Sequence, residues 1–97
     1  MERVTHYAIE VNHNGQLYES LPIKYEKEKF DYTLKLFDSG IENLSIPVSE
    51  KKILFFRKSV LENSVITLSL LEMPNYSGPV LIYQYRISTL HRGISIE

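Results

Sequence analysis

In residues 65–73 (VITLSLLEM) and 80–88 (VLIYQYRIS) large apolar side chains recur at every second position through Ile66, Leu68, Leu70 and Tyr83, Tyr85, Ile87, and only Pro74-Asn75-Tyr76-Ser77-Gly78-Pro79 lies between the two runs. A period of two in runs rich in Val, Ile, Leu and Tyr marks strands with one buried face, and two prolines with a glycine force a loop. A long antiparallel hairpin is therefore the element around which the rest of the chain must fold. Closing it with Met73 opposite Val80 sets Leu70 against Tyr83, Leu68 against Tyr85 and Ile66 against Ile87. Those pairs build one apolar face for a core.

A second turn signal is Asn12-His13-Asn14-Gly15. A three-residue loop with Gly15 in the left-handed conformation, where glycine escapes the Cβ clash, pairs Val11 with Leu17, Ile9 with Glu19, Tyr7 with Leu21 and Thr5 with Ile23. A two-residue loop at Asn14-Gly15 would pair Val11 with Tyr18 and Ile9 with Ser20 instead. The first register gathers more apolar residues on one face and is the expectation.

Residues 29–37 carry two periods at once. Phe30, Leu34, Phe37 and Ile41 recur at helical spacing, whereas Phe30, Tyr32, Leu34 and Leu36 alternate strictly with polar residues. A turn at Asp38-Ser39-Gly40 would pair Leu34 with Leu44, Tyr32 with Ile46 and Phe30 with Val48, so residues 29–37 and 42–48 are expected to form a further hairpin. Ser49 then caps a helix expected from about Glu50 to Glu62, with Val48 stapled onto Ile53 and with Ile53, Leu54, Phe56, Val60 and Leu61 turned inwards. The tail either frays or adds Ile94 and Ile96 as a short strand.

A chain of 97 residues buries roughly two thirds of its unfolded surface and supports one core. The expected architecture is a single α+β domain over 1–97, mainly antiparallel, in the order ββ-ββ-α-ββ, with the helix on one sheet face and 91–97 as a tail that either frays or docks. Eleven Lys and Arg against twelve Asp and Glu leave a net charge of −1, which gives no global attraction to nucleic acid or an anionic membrane. The absence of cysteine excludes disulfides and thiolate chemistry. The N-terminal MERVTHYAIE lacks the apolar run of a signal peptide, and no stretch approaches membrane-spanning length. A cytoplasmic protein without a membrane partner is the expectation.

Catalysis finds no footing in these residues. His6, His13 and His91 are scattered, the glycines at 15, 40, 78 and 93 are isolated, and no serine sits in a nucleophile elbow. His6 and Glu10 share a strand face without a third ligand, so neither a metal nor a cofactor is expected.

Three surfaces stand out instead. On the reverse side of the 65–88 hairpin, Leu71, Met73, Val80 and Ile82, with Tyr76 in the loop, form an apolar cluster of the kind that marks an interface, unless sheet curvature or the tail covers it. Glu19 falls on a face expected to be buried, and Arg57 falls in the apolar sector of the expected helix. The two would form a partly buried ion pair, or hold an anionic ligand together with Tyr83 and Tyr85. Phe55, flanked by Lys51, Lys58 and Glu62, would point away from the core, where it could stack on a base or anchor a partner protein.

Together these features point to a non-enzymatic protein-binding module acting through an apolar sheet face or edge, on another protein or a second copy of itself. An inhibitor, adaptor or regulatory subunit, such as the small accessory proteins of phages and mobile elements, fits that description. A binder of a small anionic molecule or nucleotide is the second class, and RNA binding through Phe55 and its lysines the third.

Overall fold

The computed structural model describes residues 3–73, 78–88 and 93–96. In chain order the elements are β1 (His6–His13), β2 (Gln16–Glu19), β3 (Ile23–Lys24), α1 (Lys27–Ser39), β4 (Asn43–Ser49), β5 (Lys52–Arg57), α2 (Lys58–Leu61), β6 (Ser64–Glu72), β7 (Val80–Ser88) and β8 (Gly93–Ile96). The class is α+β and the strand pairings are antiparallel.

The long hairpin forms in the expected register, with Leu70 opposite Tyr83, Leu68 opposite Tyr85 and Ile66 opposite Ile87. Nearer the loop the register slips by one, so Leu71 faces Leu81 and Glu72, not Met73, faces Val80. An extra residue in β7 makes this a bulge, which twists the strand locally while the ladder continues on both sides. β1 lies along the other edge of β6, pairing Tyr7 with Leu70, Ile9 with Leu68 and Val11 with Ile66. The sheet order is β2-β1-β6-β7-β8, with β3 also against β1. The tail is thus a strand over Gly93–Ile96, docked on β7.

Three expectations are overturned. The first concerns the turn after β1. Asn14 and Gly15 both take left-handed backbone, at φ 52° and 82°. That is the two-residue type I′ geometry, whose twist matches a hairpin. Val11 therefore faces Tyr18 and Glu10 faces Glu19, which puts Glu19 on the side of the sheet away from the core. At Ser20 the chain half leaves the ladder: its N–H still donates to the Ile9 carbonyl at 2.8 Å, but its carbonyl no longer accepts from Ile9. The Ile9 N–H donates to Ser20 Oγ at 2.9 Å, the Ser20 hydroxyl donates to the Leu21 carbonyl at 2.9 Å, and β3 rejoins with Ile23 opposite Tyr7.

The second correction is that residues 29–37 are helical. In α1, Phe30 and Phe37 are buried and Leu34 is half-buried, while Tyr32 and Leu36, which an alternating strand would have buried, are exposed. Helical spacing wins because Phe30 finds an aromatic cage: its ring centroid lies 5.0 Å from Tyr7, 5.3 Å from Tyr25 and 6.0 Å from Tyr85. Gly40, at φ 93°, ends the helix with its N–H on the Phe37 carbonyl.

The third is that the expected helix over 50–62 is a strand followed by a single helical turn. With 29–37 helical, β4 needs another partner and takes β5. Ser49 caps no helix; its Oγ accepts the Lys51 N–H at 3.3 Å within the β4–β5 turn.

The core lies between two layers. Ile9 and Val11 of β1, Ile66, Leu68 and Leu70 of β6 and Ile87 of β7 form one side, and Phe30, Phe37, Ile46, Phe56 and Leu61 form the other. Among the described residues every buried side-chain polar atom has a hydrogen-bond partner.

Candidate functional site

The β4–β5 hairpin sends Ile46 and Phe56 into the core from one face and leaves the other face at the surface. Its pairs run Asn43–Arg57, Leu44–Phe56, Ser45–Phe55, Ile46–Leu54 and Pro47–Ile53. Successive side chains of a strand point to opposite faces. Phe56 is buried and its ring meets Tyr18 edge-on at 5.4 Å, whereas Ile53 and Phe55 on the other face are 68% and 59% exposed. A helix would have turned Ile53 inwards with Phe56; the strand turns it out beside Phe55.

Pro47 shows which backbone groups of β5 are free. Its carbonyl accepts the Leu21 N–H at 2.8 Å and so points away from β5, and proline has no N–H to offer. Antiparallel pairs alternate between those that exchange two backbone bonds and those that exchange none. Pro47–Ile53 and Ser45–Phe55 are therefore of the second kind, and Ile46–Leu54 and Leu44–Phe56 carry the ladder. The N–H and C=O groups of Ile53 and Phe55 consequently face the edge of β5 away from β4. Among the described residues no strand pairs with that edge.

Cations frame this edge. Lys51 and Lys52 stand at one end of β5 and Arg57 and Lys58 at the other, all exposed. The ion pairs among the described residues are Lys27 with Asp31 and Lys29 with Glu26, around the start of α1. None of the four cations makes an ion pair among the described residues, although Glu50 shares the turn with Lys51 and Glu62 follows Lys58 by four residues.

The other surfaces look different once folded. Of the apolar cluster on the 65–88 hairpin, Leu71 is buried, Met73 and Ile82 are half-buried and Val80 is exposed; Tyr76 lies outside the described residues. Leu71 is closed off because Thr5 runs alongside it, donating its N–H to the Leu71 carbonyl at 2.8 Å and accepting the Met73 N–H on its Oγ1 at 2.9 Å. The bulge sets the exposed Leu81 opposite Leu71, a residue that the simple register did not single out.

Glu19 and Arg57 do not meet. Glu19 lies on the sheet face away from the core, whereas Arg57 ends β5 in the layer that covers the core. Tyr83 and Tyr85 are on the core face of β7, their rings 5.2 Å apart and edge-on. Burial first, then Tyr83, pushes the Tyr85 phenol above its ordinary range. These four residues therefore do not enclose a common pocket. A shallow hollow of about 370 Å³ does lie on the outer sheet face, lined by Glu10, Asn12, Leu17, Val65, Thr67 and Arg86. Among the described residues no group of three metal-ligating side chains converges.

Phe55, Lys51 and Lys58 are all exposed, as the sequence reading has them, but as parts of a strand and its flanks rather than of one helix. Ile53 and the backbone edge were missed. No local signal marked them: Pro47 indicates an edge, but that edge is the outer side of β4, where its carbonyl takes the Leu21 N–H. Comparison with protein-family models, curated proteins and solved structures finds no match.

Proposed function

We propose that this chain is a small non-enzymatic protein-binding module, an inhibitor, adaptor or regulatory subunit, whose working surface is the outward side of the β4–β5 hairpin. The observation that carries this is the pairing of Ile53 and Phe55, two large apolar side chains exposed two residues apart on one strand face. Protein interfaces combine such apolar anchors with a charged rim, and aromatic anchors supply a large share of their binding energy. The 65–88 hairpin supports the same class less strongly, because Leu71 is buried there. Nucleic acid is the weaker alternative, since Ile53 provides no ring on which a base can stack.

The test is selection of binders to the intact chain from a displayed random-peptide library, followed by retesting on Ile53→Ser and Phe55→Ser. Each substitution should weaken the selected binders by about tenfold or more. Binders indifferent to both substitutions would overturn this assignment of the surface.

A further inference from the structure

We infer that β5 takes its partner as an added strand, and that the partner is an extended segment of another protein carrying two apolar residues at alternate positions between acidic ones. This rests on the proposal that the β4–β5 hairpin is the binding surface, and it specifies the partner.

The backbone supplies the first argument. Ile53 and Phe55 present N–H and C=O groups on the edge away from β4, spaced as a ladder requires, and among the described residues nothing in the chain accepts them. An extended segment laid along that edge satisfies all of them, the mode of recognition used wherever a peptide adds a strand to an open sheet. Its alternate side chains would then lie beside Ile53 and Phe55 on their exposed face.

Charge supplies the second. Within β5, Ile53, Phe55 and Arg57 alternate on one face, and Lys51 of the preceding turn stands at its other end, so the two apolar side chains lie between cations. A segment reading acidic, apolar, apolar, acidic at the same spacing matches it, and neither Lys51 nor Arg57 makes an ion pair among the described residues.

The same charges oppose a second copy in two of the three antiparallel registers that join these edges through Ile53 and Phe55. Two β5 edges can pair only through residues whose backbone groups point outwards. If Ile53 of one copy faces Phe55 of the other, Lys51 meets Arg57 at both ends, with Glu50 against Lys58 beyond them; if Phe55 faces Phe55, Lys52 meets Lys58 at both ends; Ile53 facing Ile53 avoids like charges but sets Lys51 against Phe55. Like charges placed opposite each other oppose strand pairing, and lysines at an edge are a known guard against self-association.

The experiment uses the full chain, labelled with nitrogen-15, and four probes. They are a short peptide of alternating threonine and valine with a glutamate at each end, its lysine-ended counterpart, an N-methylated form of the glutamate peptide that cannot bond as a strand, and oligouridylate RNA. Free chain should be monomeric, with fast exchange at the Ile53 and Phe55 amides. The glutamate peptide should bind about tenfold or more tightly than the lysine peptide or the N-methylated form, less so as salt rises. It should slow exchange at those two amides.

A lysine peptide that binds equally well, binding that leaves both amides unprotected, tighter binding of the RNA, or a dimer joined through β5 would each overturn the inference. Failure of the glutamate peptide also overturns it, but leaves the proposed surface standing if library-selected binders still depend on Ile53 and Phe55. If those binders ignore both residues, the surface falls as well.

Discussion

Glu10 and Glu19 stand directly opposite each other across β1 and β2, two carboxylates on the sheet face away from the core. Partial burial, followed by the hydrogen bond to Glu19 and the charge of Glu19, raises the Glu10 carboxyl above the ordinary glutamate value of 4.5. The folded chain therefore holds this proton more tightly than the unfolded chain does. The resulting penalty on folding is absent below 4.5, grows as pH rises through the raised folded-state value, and is fully present above it. Glu10→Gln should stabilise the protein at neutral pH by about 0.5 kcal/mol, a small amount because solvent screens the pair. It should also flatten the pH dependence of the urea midpoint in that window. An unchanged slope would show that another group titrates there.

Ser20 does the work of a backbone carbonyl at the point where β2 leaves β1. It is buried, and its Oγ accepts the Ile9 N–H at 2.9 Å. Ser20→Ala leaves that buried donor without a partner, at a cost of about 1–3 kcal/mol. Denaturation together with faster exchange of the Ile9 amide would demonstrate it. Stability equal to wild type would mean that the main chain relaxes to re-form the ladder.

How much of this was legible in the sequence depends on whether one period or two were present. In the 65–88 hairpin only the two-residue period occurs, and three of its core pairs are found as read. At 29–37 both periods occur, and what decides between them is the cage of Tyr7, Tyr25 and Tyr85 around Phe30, of which Tyr7 and Tyr85 are distant in the chain and displayed by no local pattern. That error carried the next one with it. Once residues 29–37 were assigned as the partner of 42–48, Ile53 to Leu61 was left to be a helix. The exposure of Phe55 survives because a strand and a helix both turn it outwards; that of Ile53 does not. Likewise, Glu19 posed a problem on the buried face only while Gly15 alone was given a left-handed backbone. With Asn14 left-handed too, Glu19 faces solvent.

Phe30 and Tyr32 separate the two readings of α1 by experiment. In an alternating strand they would share the buried face and both truncations would be severe. In the helix Phe30 is 2% exposed and Tyr32 64%. Phe30→Ala should cost about 3–5 kcal/mol, and Tyr32→Ala no more than about 0.5 kcal/mol. Guanidinium denaturation of the two variants measures both, and comparable losses would contradict the helix.

Arg57→Glu should turn the guarded edge of β5 into a self-complementary one. In the register that sets Ile53 of one copy against Phe55 of another, the wild-type chain brings Lys51 against Arg57 at both ends. The substitution makes both contacts attractive without touching the β4–β5 ladder, which runs through Leu54 and Phe56. Opposite-charge pairs across strands contribute about 0.2–1 kcal/mol each, and the exposed Ile53 and Phe55 add apolar area to the same contact. Native mass spectrometry should therefore show a dimer for Arg57→Glu where wild type is monomeric. Adding Ile53→Lys should restore the monomer by placing a new cation in the middle of the paired face. A monomeric Arg57→Glu chain would mean that charge is not what keeps this edge open.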